Sequence, residues 1–210
     1  MLTGGYNEQR VIIHMRYKEP GKETAILHAA IKVFAEQGYH KAQISRIAEH
    51  AGVATGTVYL YFGNKRDILL KIFGEMWAVV AKQWAAIAND TGLTAEGRLD
   101  ALIDVVFDVC APQPELAILL ANEHSLLLHN HREIFPKEYD QALEIAQKII
   151  IDGVTKGVFD KDADLTFLRH FIIGGMREAL HQWSINPKEI QLGDIRRHAK
   201  RTLKHGILSH

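Results

Sequence analysis

Two short helical segments divided by a glycine dominate the pattern of the sequence, in the run ISRIAEHAGVATGTVYLYFGNKRDIL, residues 44–69. The first segment, 44–51, places Ile44, Ile47 and Ala48 on one face. Gly52 follows it and can adopt the left-handed backbone conformation that ends a helix. A second segment, 55–62, begins three residues later. This spacing predicts a helix-turn-helix, in which the second helix can enter a groove of DNA.

The outward face of the second segment suits contact with nucleic acid. Val58 and Phe62 are expected to pack inward, and the remaining candidates face out: Thr55, Gly56, Thr57, Tyr59 and Tyr61. Threonine can hydrogen-bond base edges or phosphates and can place a methyl group against thymine. Tyrosine hydroxyls and the ammonium group of Lys65 can hydrogen-bond DNA phosphates. Lys41 and Arg46 are either further phosphate contacts or solvated surface charges.

The rest of the chain also shows helical periodicity, with no clear alternating strand pattern. Gly38 should end a helix over 23–38, and Asn64 can cap a long helix that runs to about residue 88. Further helices are predicted at 94–109, 114–129, 133–156, 164–185 and 188–205. The sequence therefore predicts an all-α protein. Its parts are an N-terminal arm that could be mobile (1–21), a three-helix DNA-binding module (22–70) and a larger helical domain (71–210). The long fourth helix joins the module to the larger domain.

Charge and cysteine content narrow the class of protein. The whole chain has a formal net charge of zero. Residues 1–71, however, carry ten Lys and Arg against six Asp and Glu, which favours a basic, DNA-facing end. Cys110 is the single cysteine, so we expect no disulfide and a reducing, cytoplasmic setting. The apolar runs are too short to span a bilayer, so no membrane association is expected.

Residues 47–68 closely resemble the DNA-binding domain of TetR-family repressors, whose pattern runs I-A-x-x-A-G-V-[SA]-x-G-x-[VIL]-Y-x-[YH]-F-x-[NS]-K-x-x-[IL]. Ala30, Phe34 and Gly38 of the preceding helix also match. The resemblance implies a homodimer that reads a near-palindromic operator and a C-terminal domain that binds an effector. It also implies DNA contacts at Thr57, Tyr59, Tyr61 and Lys65, with Thr55 and Gly56 beside the groove.

The sequence departs from the family pattern at two positions of this module. Gln43 stands where the family usually has Ser or Thr, so Gln43 would have to contact phosphate and cap the second helix in its place. Thr55 stands where many members have Lys, which removes one charged contact with DNA.

The resemblance assigns dimerisation to the last two helices, 164–185 and 188–205. Gly174 and Gly175 lie within the first of them and would let another helix approach closely. A helix crossing inside one subunit is the alternative explanation for this pair of glycines.

The larger domain holds the candidate effector site. Large apolar side chains there are more typical of core, whereas polar groups on apolar helices need buried partners and are better indicators of a site. The residues we single out as effector-binding are Trp77, Phe107, His124, Tyr139, His170, Arg177 and Trp183.

A finer resemblance concerns the run GYHKAQISRIAEHAGVATGTVYLYFGNKRDIL, residues 38–69. It is similar to the TetR branch that represses fatty-acid degradation genes and responds to long-chain acyl-CoA. Such an effector would need an apolar tunnel and cations for its phosphates, and the candidate cations are Arg98, Arg132, Arg169 and Arg177. The alternatives are a regulator of drug efflux that responds to hydrophobic drugs, or a DNA-binding protein with a filled bundle and no effector.

Enzymatic and metal-binding interpretations have little support in the sequence. No local signature for a cysteine nucleophile surrounds Cys110, and there is no glycine-rich phosphate loop. His124 and the run His129-Asn130-His131 could suggest a metal, but such a run is more typical of a solvated turn. We expect no catalytic site, no metal and no cofactor.

Overall fold

The computed structural model describes residues 21–162 and 164–207, so the predicted arm lies outside the described residues except for Gly21. A 3-10 turn, Arg132–Ile134, precedes the seventh helix. The helices of the described part are α1 (Lys22–Gln37), α2 (Ile44–His50), α3 (Thr55–Tyr61), α4 (Lys65–Asn89), α5 (Ala95–Cys110), α6 (Pro114–Asn130), α7 (Lys137–Thr155), α8 (Leu165–Ile185) and α9 (Leu192–Ile207). The all-α prediction is confirmed.

Three residues of the N-terminal module end or begin helices, as the sequence predicts. Gly38 and Gly52 have φ angles of +75° and +66°, in the left-handed region that side chains disfavour. No atom lies within 4 Å of a Cβ built on either glycine, so backbone conformation alone favours glycine there. Asn64 caps α4, because its side-chain oxygen accepts hydrogen bonds from the backbone N–H groups of Arg66 (2.9 Å) and Asp67 (3.1 Å).

Two predicted helix starts are wrong, and turns explain both. The helix predicted from 133 begins at Lys137, because Pro136 precedes it and the chain before Pro136 forms the 3-10 turn. The helix predicted from 188 begins at Leu192. Before it, Asn186 accepts backbone hydrogen bonds from Glu189 (3.1 Å) and Ile190 (3.0 Å), which closes a separate turn.

The fourth helix belongs to both parts of the molecule. Its first turns pack against α1 through Ile68 and Ile72, and its later turns pack against α5 and α7. The buried side chains recur every three or four residues: Ile68, Leu69, Ile72, Phe73, Met76, Trp77, Val80, Ala81 and Trp84. One apolar face therefore runs through a continuous core to which both parts of the molecule contribute. No helix in the described ranges is both long and apolar enough to cross a membrane.

A ladder of ion pairs fixes α9 against α5. Asp100 and Asp104 accept hydrogen bonds from Lys204 (2.9 Å) and Lys200 (2.6 Å). One turn further along, Asp108 accepts from Arg196. Because partners on each helix are spaced four residues apart, the three pairs align along one seam. The seam holds the last helix over the larger domain, where Leu203 reaches the interior.

Gly153 of α7 lies directly beneath the buried ring of Phe159. A Cβ at Gly153 would approach Phe159 Cδ2 to 2.2 Å, far inside contact distance. We therefore expect Gly153→Ala to lower the free energy of unfolding by about 1–3 kcal/mol, because the ring must leave its site. Urea unfolding at fixed protein concentration measures the change.

Gly74→Ala is the matched control for that substitution. It lies inside α4, and its Cβ would make an ordinary 3.7 Å contact with Pro136. Since alanine favours helix over glycine by about 0.5–1 kcal/mol, this variant should be stabilised. Equal effects of the two substitutions would contradict the packing argument.

Candidate DNA-binding surface and effector cavity

The second helix of the helix-turn-helix, α3, presents an exposed face to solvent. Val58, on the opposite face of α3, is fully buried, and Phe62, which follows the last residue of the helix, is also buried. Thr55 and Gly56 are exposed at its start, and Thr57 is half-buried. Tyr59 and Tyr61 project with about half of their surface exposed. The five outward positions proposed from the sequence therefore share one accessible region of the module.

Leu60 belongs to the same surface, although the sequence analysis did not select it. Its side chain is 85% exposed, which is unusual for a large apolar residue. It lies two positions after the buried Val58, and two helical positions correspond to roughly 200° of rotation, so the period of the helix already places it outward. An apolar side chain at this place can contact a thymine methyl group in the major groove.

Gln43 and Arg46 flank the helix-turn-helix at the start of α2. Gln43 occupies the N-cap position with an extended backbone, but its side chain makes no capping hydrogen bond. The expectation that Gln43 caps α2 is therefore wrong; the exposed amide remains available for DNA. Arg46 pairs with Glu49 at 2.5 Å, and because both side chains are about half exposed, a phosphate could replace that carboxylate.

Lys65 has internal partners that the sequence analysis missed. Its ammonium group donates to the backbone carbonyls of Tyr39 (2.6 Å), His40 (2.9 Å) and Ala42 (3.2 Å), and it lies 4.8 Å from the centre of the Tyr39 ring. An ammonium has three donors, so this arrangement leaves none for a phosphate. Lys65 instead ties the first residue of α4 to the segment between α1 and α2.

We expect Lys65→Met to lower the free energy of unfolding by about 1.5–3 kcal/mol, because three carbonyls lose a charged donor. Lys41→Met is the matched control. Its side chain is exposed and should change stability by less than about 0.5 kcal/mol. Chemical denaturation of both variants provides the measurement. An unchanged stability of Lys65→Met, with weaker DNA binding only, would restore the phosphate role.

The larger domain contains a partly open cavity of about 140 Å³, with walls from α4, α5, α6, α7, α8 and α9. Three of the effector residues proposed from the sequence line it together: Trp77 from α4, His124 from α6 and Arg177 from α8. The remaining walls are mostly apolar: Trp84, Leu99, Leu102, Ile103, Val106, Leu120, Leu143, Ala146, Ile150, Ile172, Ile173, Met176 and Leu203. The cavity can therefore accept an apolar ligand with few polar groups.

The other four proposed effector residues do not line the cavity. Tyr139 is buried behind it, with its ring 4.8 Å from that of Trp77 and 5.1 Å from that of His124. Phe107 and Trp183 are buried elsewhere in the core, and His170 is exposed on α8. On α8, the sequence could not separate exposed from buried positions such as His170 and Trp183, because large apolar residues occur on both faces of that helix.

Two polar wall residues were missed by the sequence analysis, Gln147 of α7 and Thr166 of α8. A signal for Gln147 was present. It lies between Leu143 and Ile150 at spacings of four and three residues, which places all three on one helical face. Thr166 occupies the first turn of α8, where no periodicity has yet been established.

His124 is buried and neutral. Burial, followed by the nearby charge of Arg177, lowers its pKa from 6.5 to about 4. Its ring lies among aromatic rings, with centroids 5.6 Å from Phe73 and Trp77 and 5.1 Å from Phe135. A charged imidazolium in such surroundings would be poorly solvated.

This neutral histidine predicts a loss of stability in acid. Between pH 6.5 and 4 the unfolded chain binds a proton at His124 and the native protein does not, so the free energy of unfolding falls as the pH falls. From pH 7.5 to 5 the contribution is about 2 kcal/mol. Urea unfolding of the wild type and of His124→Phe at both pH values tests this prediction. Equal pH dependence in both proteins would contradict it.

A cysteine nucleophile and a metal site are the two other kinds of site considered in the sequence analysis. Burial raises the pKa of Cys110 to about 12, so its thiol is a poor nucleophile. Across residues 21–162 and 164–207, no three His, Cys, Asp or Glu side chains converge where they could hold a metal ion.

Comparison with known proteins identifies the family. A model of bacterial regulatory proteins of the tetR family matches residues 26–72, and a model of the tetracyclin repressor-like C-terminal domain matches residues 92–184. The chain belongs to the TetR family. It is a ligand-responsive, DNA-binding transcriptional regulator and not an enzyme.

The similarity to individual TetR-family regulators extends over both domains. The fatty acid metabolism regulator protein of Bacillus subtilis is 33% identical over 196 residues, covering 92% of this chain and 98% of the relative. The fatty acid degradation regulator FadR from Bacillus halodurans has a TM-score of 0.74 at 31% identity, over 90% of this chain and 96% of that one. FadR from Bacillus subtilis, crystallised with stearoyl-CoA, has a TM-score of 0.72 at 32% identity, over 87% and 97% of the two chains.

Proposed function

We propose that this regulator is a homodimeric repressor that binds a near-palindromic operator through α3 and is released by a small hydrophobic effector, with long-chain acyl-CoA as the first candidate. The observation that carries the proposal is the presence of an exposed helix α3 and a mostly apolar cavity on one chain, joined by α4. A filled bundle would have favoured a DNA-binding protein without an effector.

Operator contact is assigned to Gln43, Arg46 and the exposed face of α3 from Thr55 to Tyr61. The excess of basic residues in the first 71 positions gives this end of the molecule the charge that attracts DNA. Hydroxyls at Thr55, Thr57 and the two tyrosines can reach phosphates or base edges. Lys65 acts indirectly, since its ammonium holds the segment before α2 in place.

Homodimerisation is assigned to α8 and α9. Phe167 and Phe171 of α8 stack with their ring centres 6.0 Å apart, and each exposes more than half of its surface. Such a pair is expected to be covered in an assembly. No atom of the described chain lies within 4 Å of a Cβ built on Gly174 or Gly175, which disfavours a close crossing inside one subunit and favours approach by a second copy.

The route from cavity to DNA runs along α4. Trp77 and Trp84 of α4 form part of the cavity wall. At the start of the same helix, Lys65 donates hydrogen bonds to the segment that leads into the helix-turn-helix. The cavity is about as large as an engineered cavity of about 150 Å³ that binds benzene. A longer ligand must push the walls apart, and a shift of α4 moves the DNA-binding module with it.

The names of similar proteins and the apolar walls support acyl-CoA as the effector. One of the relatives is a fatty acid metabolism regulator, and one similar structure contains stearoyl-CoA. Among the cations proposed for its phosphates, Arg98 contacts Asp90 and Asp152, and Arg132 pairs with Asp140. Arg177 lines the cavity, and the side chain of Arg169 lies outside the described part.

An operator selected from random duplexes by the purified protein allows a direct test. Fluorescence anisotropy then follows release by CoA, acetyl-CoA, acyl-CoAs of increasing chain length and matching free fatty acids. We expect release to strengthen with chain length and to require CoA. A ligand at about 100 times its Kd should also add about 2.7 kcal/mol of stability. Release by hydrophobic drugs alone would favour the efflux alternative.

Tyr59→Ala separates the two functions in the same assay. Its side chain is exposed on α3 and does not line the cavity, so the variant should lose operator affinity and retain stabilisation by the effector. Retained operator affinity would remove Tyr59 from the interface.

Salt dependence tests the dimer on DNA. If each subunit neutralises about four phosphates, a dimer displaces counterions from about eight, and log K should fall with log salt concentration at a slope of about −7. Anisotropy titrations between about 50 and 200 mM salt measure this slope. A slope near half that value would indicate binding by a single subunit.

A further inference from the structure

Two residues that line the cavity, Trp77 and His124, each carry a buried polar atom without a hydrogen-bond partner among the described residues. These atoms are the indole nitrogen of Trp77 and Nε2 of His124. The side chains are 6% and 2% exposed, and their ring centres lie 5.6 Å apart. A buried donor without an acceptor costs about 1–3 kcal/mol, so such groups usually have a partner.

A second tryptophan in the same wall shows the contrast. The indole N–H of Trp84 donates to the backbone carbonyl of Leu102 at 3.1 Å. Both tryptophans come from α4 and both line the cavity, yet only the indole of Trp84 has a protein acceptor. The unpaired indole donor of Trp77 is therefore a particular feature of the part of the cavity formed by Trp77 and His124, which we call this end of the cavity.

The charge state of this end favours a neutral acceptor. His124 is uncharged at neutral pH, because burial lowers its pKa to about 4. The guanidinium of Arg177 already donates to the hydroxyl of Ser125. A carbonyl oxygen costs much less to bury between the two rings than a carboxylate does.

We propose that Trp77 and His124 form a carbonyl-recognition subsite, in which the indole N–H and the Nε2–H tautomer of the imidazole donate to one neutral carbonyl oxygen of the effector. For the acyl-CoA effector of the proposed function, on which this identity rests, the oxygen is that of the thioester. The rest of the ligand lies along the apolar walls. Because Trp77 belongs to α4, recognition of the carbonyl acts directly on the helix that carries the DNA-binding module.

Small probes test the subsite without assuming the natural effector. Hexan-2-one and 2-methylhex-1-ene have the same shape and differ in whether oxygen or CH₂ ends the double bond. The protein contains three tryptophans, so ¹⁵N-labelled indoles give three signals that Trp→Phe variants assign. We expect the ketone to move the Trp77 indole proton downfield, and the alkene to leave it near its position. Similar shifts with both probes would overturn the proposal.

Affinities in matched variants provide the second readout. Trp77→Phe should weaken hexan-2-one by about three- to tenfold and change the affinity for the alkene less than twofold, since only the hydrogen bond is lost. Trp84→Phe is the control and should not change the ratio of the two affinities. Equal losses for both probes in Trp77→Phe would indicate packing alone, and failure of both probes to bind the wild type would also overturn the subsite.

Palmitoyl-CoA and its thioether analogue S-hexadecyl-CoA connect the subsite to the proposed effector. Both carry the same head and chain, and only the first has a carbonyl. Preference for palmitoyl-CoA that disappears in Trp77→Phe supports both proposals. If neither CoA compound binds while the ketone shows its Trp77 dependence, acyl-CoA is the wrong effector and the carbonyl subsite stands.

Discussion

The continuous apolar face of α4 is the constraint on which the rest of the structure depends. Ile68, Ile72, Trp77 and Trp84 are all buried in one core cluster and all belong to this single helix. A helix transmits displacement along its axis because its backbone hydrogen bonds resist local deformation. The two parts of the molecule therefore share one continuous core along α4.

The attachment at Lys65 makes this connection specific. An ammonium that donates to three carbonyls fixes the start of α4 to the segment between α1 and α2, and the Asn64 cap fixes the same turn from the other side. The start of α4 is therefore held to the segment that leads into the helix-turn-helix. Near the middle of the same helix, Trp77 lines the cavity with an indole nitrogen that is unpaired among the described residues.

Much of the DNA-binding module was predictable because its signals are local. Gly38 and Gly52 end helices through a backbone conformation that glycine favours, and Asn64 caps α4 with its own side chain. Leu60 could have been placed outward by the same helical period. The starts of α7 and α9 were less predictable, since Pro136 and the turn at Asn186 compete with helical periodicity over only a few residues.

The sequence by itself determined the helical architecture, the turn between α2 and α3, and the resemblance to TetR-family repressors, because spacing along the chain sets each of these. Only the tertiary structure decided which polar residues share a site. It brought Trp77, His124 and Arg177 together around one cavity, placed His170 on the surface of α8, and gave Lys65 internal partners. The physical reason is that burial and hydrogen-bond partners depend on contacts between helices distant in sequence, and helical periodicity does not encode those contacts.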